Sequence, residues 1–350
     1  MAPDNEPMTT RINYELPVEP GQSFVVDAFR PEDAAGVASL FYSIYGAEYP
    51  FETYYFPERI IAENANGNLH MVVARTSKGD IIGHGALYRS SPPNPALYEF
   101  GQYLVLKSYR TSFAAYEINK LITEEMVRRV PMCGFFGEAV THHTTTQKAC
   151  LKAGAKEVAL ELDLMPAESY EKDAGTTQRV SCVLYFRSVQ DQPQLVYVPT
   201  AYAKAVEFLA AGLDLNRQYV TAAGNPPADV RTHIDSRFFS HAGVGRASVM
   251  ALGADFEKVV SDLETQAERE QAVLLQIFIN LSQPGVGTVA DWLRSRGYCL
   301  GGYLPRWFDT DGLLLQKTKT RPAFDSLKLH SERGLGLLQL VRQDWDLTHL

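Results

Sequence analysis

The spacing of apolar positions divides the chain into short strands and amphipathic helices. Ser23 to Phe29 is a β-rich run, and Arg30-Pro31-Glu32-Asp33 behind it puts a proline in a first helical turn with two acids following, a helix-start signal. Val37, Leu40, Phe41 and Ile44 then recur at helical spacing, which predicts one buried face on a helix reaching about Tyr45. Pro57 opens a second, shorter helix that stops at Asn66-Gly67. Leu69 to Thr76 and Ile81 to Arg89 read as strands of a hairpin joined at Ser77-Lys78-Gly79-Asp80. From Tyr98 to Arg128 a strand runs into a polar turn at Tyr109-Arg110 and then into a long amphipathic helix. Gly134 to Thr141 is the next strand, and a helix from about Thr145 ends on the basic turn Lys152-Ala153-Gly154. Strands at Val158 to Leu164 and Val180 to Val189 flank an acidic stretch, Ala167 to Gln178.

From Gln190 the pattern restarts. Tyr202 to Leu213 is helical by spacing, Val230 to Phe239 and Gly245 to Leu252 are strand-like, and Asp255 to Arg269 is a helix with a charged face. Ala272 to Leu281, the turn Ser282-Gln283-Pro284-Gly285, the helix Thr288 to Arg296 with Gly297, and strands around Gly301 to Phe308 and Leu313 to Lys317 follow. This repeats the strand, turn, helix, glycine, strand order of Gly134 to Leu164, with Gly154 matched to Gly297, and predicts an internal repeat. Leu335, Leu338, Leu340 and Val341 predict a last helix docked on a sheet. Trp292, Trp307 and Phe308 read as core or interface. The expected division is a loose arm over residues 1–22, one domain over 23–189 and a second over 190–350.

Charge and cysteine usage narrow the function classes. Lys and Arg number 33 against 41 Asp and Glu, a net charge of −8, so nucleic acid is not an expected partner. Cys133, Cys150, Cys182 and Cys299 lie far apart, and the first residues lack the apolar core of a signal peptide, which reads as a reduced, cytoplasmic protein. No run approaches the ~18 apolar residues of a transmembrane helix, so no membrane partner is expected.

Candidate chemistry concentrates at the turn after Tyr98. A turn that delivers a strand to a helix start collects backbone N–H groups and the positive end of the helix dipole, which suits an anionic ligand such as a pyrophosphate. Upstream, Tyr45, Tyr49, Phe51, Tyr54, Tyr55 and Phe56 crowd one loop; it is either a lid on a core or the lining of a small-molecule pocket. His84, between two glycines, reads as packing. Glu138, His142 and His143 gather at a strand end, where they could form an acid–base pair or cap the helix that follows. Adjacent histidines on a strand point to opposite sides and no third ligand is spaced to join them, so no metal is expected.

The element order, the Tyr-Arg turn after the fourth strand and the Lys-x-Gly helix end before the sixth resemble the GNAT acyltransferase superfamily over roughly residues 23–189. The resemblance implies an α/β (α+β) fold, a mixed and largely antiparallel sheet flanked by helices, with the second half a degenerate GNAT-like domain. It implies acetyl-CoA or another acyl-CoA as co-substrate, its pyrophosphate wrapped by an R/Q-x-x-G-x-G/A loop. The matching residues are Arg110, Thr111, Ser112, Phe113, Ala114 and Ala115. Phe113 stands in place of a glycine, where a bulky side chain is expected to crowd the approach to phosphate. By the same resemblance, backbone amides at Leu104, Val105 and Leu106 hold the acyl carbonyl, Glu99 is the general base, and Cys150 occupies the position of a tyrosine that protonates the departing thiolate. Strand alternation places Glu99, Gly101, Tyr103 and Val105 on one side. As alternatives, Glu99 is an ordinary strand-edge acid and Cys150 a small buried hydrophobe.

The leading expectation is an N-acyltransferase acting on a small-molecule amine lined by Tyr45, Tyr49 and Tyr54. The alternatives are a catalytically degenerate binding or regulatory protein, or a biosynthetic acyltransferase using a carrier-bound acyl group. A homodimer or a carrier protein remains open as partner. The turn of the second half, Leu252-Gly253-Ala254-Asp255, lacks a basic residue and places an acid at the helix start, a good N-cap and a poor phosphate neighbour.

Overall fold

The computed structural model describes residues 10–49, 51–169 and 178–349. Residues 1–9 of the expected arm, and most of the acidic stretch between 167 and 178, lie outside them. The chain divides into two compact units, Met1–Ser90 with Tyr98–Pro131, and Ser91–Leu97 with Met132–Leu350.

In the first unit β1 (Phe24–Ala28), α1 (Ala34–Tyr45), α2 (Pro57–Ala65), β2 (Leu69–Thr76), β3 (Ile81–Tyr88) and β4 (Leu97–Val105) follow the expected order. The four strands pair antiparallel in sequence order. Val37, Leu40 and Phe41 of α1 are buried with Ile60, Met71, Val73, Ala86 and Leu104 in one apolar cluster. Each such side chain contributes about 1.5–3 kcal/mol on burial. Asp33 at the start of α1 receives Arg75 Nε at 2.7 Å. On the opposite face of the sheet lies the long helix. It begins as α3 (Ala114–Lys120), loosens into a π-helical stretch (Leu121–Met126) and ends as α4 (Val127–Arg129). Ile118 and Ile122 reach the sheet only because Gly85 has no side chain; a Cβ there would sit 2.7 Å from Ile118 Cγ2.

The arm departs from expectation over its described part. Residues 10–22 are tied down: Ile12 is buried and donates its N–H to Tyr55 O at 2.8 Å, and Leu16 N donates to Ser39 Oγ at 2.7 Å. Tyr109 Oη donates to Glu19 O at 2.7 Å and accepts from Gln22 N at 3.1 Å.

The second unit holds β5 (Gly134–Val140), α5 (Thr145–Lys152), β6 (Lys156–Met165), β7 (Val180–Ser188), β8 (Gln194–Val198), α6 (Ala203–Ala210), β9 (Arg217–Thr221), β10 (His233–Phe239), β11 (Val244–Ala251), α7 (Phe256–Arg269), β12 (Leu274–Asn280), α8 (Val286–Ser295), β13 (Cys299–Leu304), β14 (Gly312–Thr318) and α9 (Glu332–Thr348). Its main sheet runs β5-β7-β6-β13-β14-β12-β11-β10, antiparallel except for the parallel pair β11 and β12. The pair β8 and β9, which the apolar pattern does not predict, forms a small parallel sheet.

The strands that follow Gly154 and Gly297 share a feature of register. Val158 is a bulged extra residue between the pairs Glu157–Tyr185 and Ala159–Leu184. Gly301 is the same bulge between Leu300–Leu315 and Gly302–Leu314. The two halves join through the pair Gly302–Ala159, so each bulge's neighbour meets its own counterpart, as on a two-fold axis. Gln316 bonds β6 to β14 there: it accepts from Leu162 N at 2.9 Å and donates to Leu160 O at 2.8 Å. Helix α9 packs on β6 and β13. Its buried stripe is Gly334, Leu337, Val341 and Asp344, with Leu335 half-exposed; the expected stripe of Leu335, Leu338, Leu340 and Val341 is therefore corrected to the i, i+3, i+7 face. Trp307 and Phe308 are core, and Trp292 lies partly buried against Phe256 at 5.9 Å.

Candidate functional site

The fourth strand carries an irregularity that its composition does not announce. Leu104 faces His84 and Gly101 faces Ala86, so Gln102 and Tyr103 together oppose Gly85, and Gln102 adopts φ 56°. This bulge reverses the strand's alternation. Glu99 and Gly101 lie on the face of Tyr88 and the aromatic loop. Tyr103 instead touches the Gly85 position under α3, with Phe100 at 5.1 Å. The expectation that Glu99, Gly101, Tyr103 and Val105 share one side is thereby corrected to two pairs on opposite faces.

The bulge gives Glu99 its surroundings. Tyr88 Oη donates to Glu99 Oε1, and the absence of a side chain at Gly101 makes room for that phenol. His84 is fully buried; its Nδ1 pairs with Gln102 O at 2.9 Å, and burial pushes it down to about 4, so it stays neutral. Phe41 stacks on Tyr54 at 4.4 Å and tilts against Tyr49 at 4.9 Å, and Tyr45 lies 4.9 Å from Tyr49. Burial, with the charge of Glu99 contributing, raises the phenols of Tyr49 and Tyr54 far above their ordinary range. They act as neutral hydrogen-bonding rings. Tyr45 is raised by burial and opposed by nearby Arg110. The structure thus brings Tyr45, Tyr49 and Tyr54 to the Glu99 face of β4. It adds Tyr88 and Gln102, which the sequence pattern misses because strand alternation read without the bulge after Gly101 puts their neighbours on the wrong face.

The amides of Leu104 to Leu106 divide by ladder geometry. Leu106 N donates to Ile82 O at 2.8 Å, so Leu106–Ile82 and Leu104–His84 are the hydrogen-bonded pairs and Val105–Gly83 is not. The Leu104 and Leu106 amides point to β3 and only that of Val105 points away. For Leu106 the expected role at a carbonyl oxygen is corrected, because its N–H is already spent.

The turn that follows is locally built. Tyr109 N donates to Leu106 O at 2.8 Å, Ser112 Oγ donates to Tyr109 O at 2.7 Å and accepts from Ala114 N at 3.2 Å. Arg110 and Thr111 are exposed, as is Ala115, while Ala114 is buried. Phe113 has an ordinary φ of −80° and is 74% exposed. The turn's own backbone therefore needs no glycine at this position, and the side chain stands in solvent beside it.

The second unit holds the remaining candidates. Glu138 on β5 lies 3.6 Å from Arg246 Nη2. His143 Nδ1 accepts from Thr145 N at 3.3 Å, which caps α5, and its ring meets that of His142 edge-on at 4.3 Å. Cys150 is buried on α5; burial, then the charge of Glu157, pushes its thiol up to about 12. Among the described residues no group of three or more His, Cys, Asp or Glu is placed to hold a metal ion, and no helix is long and apolar enough to cross a membrane.

The turn opening α7 is occupied by the chain itself. Gly253 N donates to Thr232 Oγ1 at 3.1 Å, Ala254 N to Val230 O at 3.2 Å, and Asp255 Oδ1 accepts from Thr232 N at 2.7 Å. Gln283 closes the end of β11, accepting from Leu252 N at 2.8 Å.

No family model matches the chain, and no curated protein matches it. Solved structures do. A protein described as a GNAT-family acetyltransferase from Desulfovibrio desulfuricans is 16% identical, with 48% of this chain and 99% of that one covered and a TM-score of 0.37. A protein described as an acetyltransferase from Salmonella typhimurium, solved with acetyl-CoA, is 10% identical over 49% and 96% at 0.38. The spermidine/spermine N-acetyltransferase of Vibrio cholerae is 11% identical over 48% and 93% at 0.36. In each of these comparisons about half of this chain is covered.

Proposed function

We propose that the protein is an acyl-CoA-dependent N-acyltransferase acting on a small-molecule amine by direct transfer, with acetyl-CoA as donor. The observation that carries this reading is the bulge at Gln102, which aims Glu99 into the aromatic face while the next free ladder position turns the Val105 amide away from β3. In this reading Glu99, held by Tyr88, takes a proton from the acceptor's ammonium group, and the neutral amine attacks the thioester carbonyl. The Val105 N–H holds the carbonyl oxygen as negative charge develops there. Tyr45, Tyr49 and Tyr54 line the acceptor. Arg110, Thr111, Ser112 and Ala115 hold the pyrophosphate at the turn, where charge-assisted bonds are the strong ones. In this reading the turn at Gly253 carries no CoA, because a separate segment of the chain, Val230 to Thr232, lies across its amides.

A second reading, a binding protein without transfer, is favoured by Cys150. A buried thiol pushed up to about 12 is a poor proton donor to a departing thiolate. Incubation with acetyl-CoA and a panel of primary amines, read by product mass, separates the two. Acylated amine supports transfer; CoA binding without product supports the binding protein; neither excludes both.

A further inference from the structure

The main sheet of the second unit ends on β10, and no described strand lies beyond it. In element order β10, β11, α7, β12 and α8 repeat β3, β4, α3, β5 and α5. The counterpart strand, β3, carries β2 along its other edge, paired antiparallel from Leu69–Tyr88 to Arg75–Ile81. The chain that leads into β10 does not take the matching place, because β8 and β9 pair with each other in a separate sheet. β10 therefore keeps an uncovered edge along its 7 residues, with backbone N–H and C=O groups directed outward.

Edge strands are commonly kept from pairing by lysine, proline or a very short length. β10 reads His233-Ile234-Asp235-Ser236-Arg237-Phe238-Phe239, with no lysine or proline and with one charge of each sign. Asp235, Ser236 and Arg237 are exposed, and Ile234 and Phe238 are half-buried. Alternation sets Asp235 and Arg237 on one face and Ile234, Ser236 and Phe238 on the other. Across the pair with β11, Asp235 stands opposite Ser248 and Arg237 opposite Arg246. The Arg246 guanidinium is turned to Glu161, donating from Nη2 to Oε1 at 2.9 Å. The residues directly opposite on β11 thus give neither Asp235 nor Arg237 a counterion.

A second copy of the same strand does. Run antiparallel with Ser236 opposite the partner's Ser236, Asp235 faces the partner's Arg237, Arg237 faces the partner's Asp235, and Ile234 faces the partner's Phe238. Slipping by one residue sets Arg237 against the partner's Ile234, or Asp235 against the partner's Phe238. Slipping by two sets Asp235 against the partner's Asp235, or Arg237 against the partner's Arg237, and like charges directly opposite are destabilising. Of these registers only the one centred on Ser236 pairs opposite charges, and it does so twice because a two-fold contact repeats each pair.

We propose that β10 is the surface through which two copies of this chain associate, each strand extending the other's sheet antiparallel about Ser236. The partner's strand then occupies beside β10 the place that β2 occupies beside β3. The association is independent of any acyl-transfer activity, since it uses only backbone edge groups and side chains of β10.

Sedimentation equilibrium of the full chain over a wide concentration range tests it. A monomer–dimer equilibrium is expected; a chain that stays monomeric throughout overturns the proposal and leaves the edge to an extended segment of another protein or to solvent. Asp235→Arg and Arg237→Asp should each weaken the dimer at least about tenfold, because two opposite-charge pairs become two like-charge pairs. The double exchange, Asp235→Arg with Arg237→Asp, should restore it. A dimer that ignores the single changes, or one lost in the singles and not regained in the double, overturns the pairing. Register is tested without a change of charge. The native cysteines at 133, 150, 182 and 299 are all buried, so mild oxidation should link the dimer through Ser236→Cys, which meets itself on the axis, and not through Asp235→Cys. Equal or greater linkage through Asp235→Cys overturns the register.

Discussion

The turns that open α3 and α7 stand at matching places in the element order, yet one is open and the other closed. Around Arg110 the bonds are local, from Leu106 to Ala114, and Arg110, Thr111 and Phe113 face solvent. Around Gly253 the amides are taken by a segment some twenty residues upstream, Val230 to Thr232, and the helix starts on an acid. The difference teaches that a strand-to-helix turn offers an anion a surface only if no separate segment of the chain lies across it: Arg110 N and Ser112 N are taken within the first turn itself, by Lys107 O and Tyr109 O, whereas at the second turn a distant segment covers the amides. The dipole is similar in both; the partners decide.

The largest effect that would break this comparison concerns chemistry. On the proposed mechanism Glu99→Gln should lower kcat by about a hundredfold to ten-thousandfold with CoA affinity unchanged. An active Glu99→Gln enzyme would remove the base from the open-turn repeat. Next comes packing. A Cβ at Gly253 would lie 2.3 Å from Val230 O, so Gly253→Ala should lose about 1–3 kcal/mol in urea unfolding. Equal stability would mean that the upstream segment does not hold the second turn.

Legibility followed the same division. Strand and helix order could be read along most of the chain because periodicity is local, and matching Gly154 to Gly297 anticipated a register that extends to the bulges at Val158 and Gly301. The bulge at Gln102 was not read although Gly101 precedes it and Gly85 stands opposite, because the positive φ falls on the glutamine and not on either glycine. Nor was the docked arm: Ile12, Leu16 and Val18 are scattered apolar residues in a proline-bearing stretch, and Ile12 is buried only because Tyr55 and α1 are there to receive it. Arg246 and Glu161 are far apart in the chain and sit on ordinary strands, so only the crossing of β6 over β12 reveals that they meet. Of the candidate residues, those on the turn and aromatic loop came from composition and resemblance. Tyr88 and Gln102 needed the fold.

Smaller effects come from pH, where the two units should respond with opposite sign. His84 is held at about 4 against an ordinary 6.5. The unfolded chain therefore binds the extra proton between those values, and this contribution, complete above pH 6.5, is lost as pH falls towards 4. Glu161 is raised from an ordinary 4.5 to about 8. Here the folded protein binds the extra proton, so stability declines as pH rises from 4.5 to 8, by at most about 1.4 kcal/mol per pH unit. Thermal unfolding across this range should show a flatter acid limb in His84→Gln and a flatter alkaline limb in Glu161→Gln. Identical pH profiles in wild type and variants would remove both assignments. Smallest of all, Phe113→Ala should change stability by no more than about 0.5 kcal/mol, because the side chain is solvent-exposed; a larger loss in urea unfolding would show that the first turn is packed as the second is.

The central claim is that one turn of the two binds CoA. Calorimetric titration of the full chain with free CoA tests it directly. One site per chain is predicted, weakened about tenfold or more by Arg110→Ala and unaffected by Asp255→Asn. Two sites per chain, or a single site that survives Arg110→Ala and is lost in Asp255→Asn, or no binding at millimolar CoA, would contradict it.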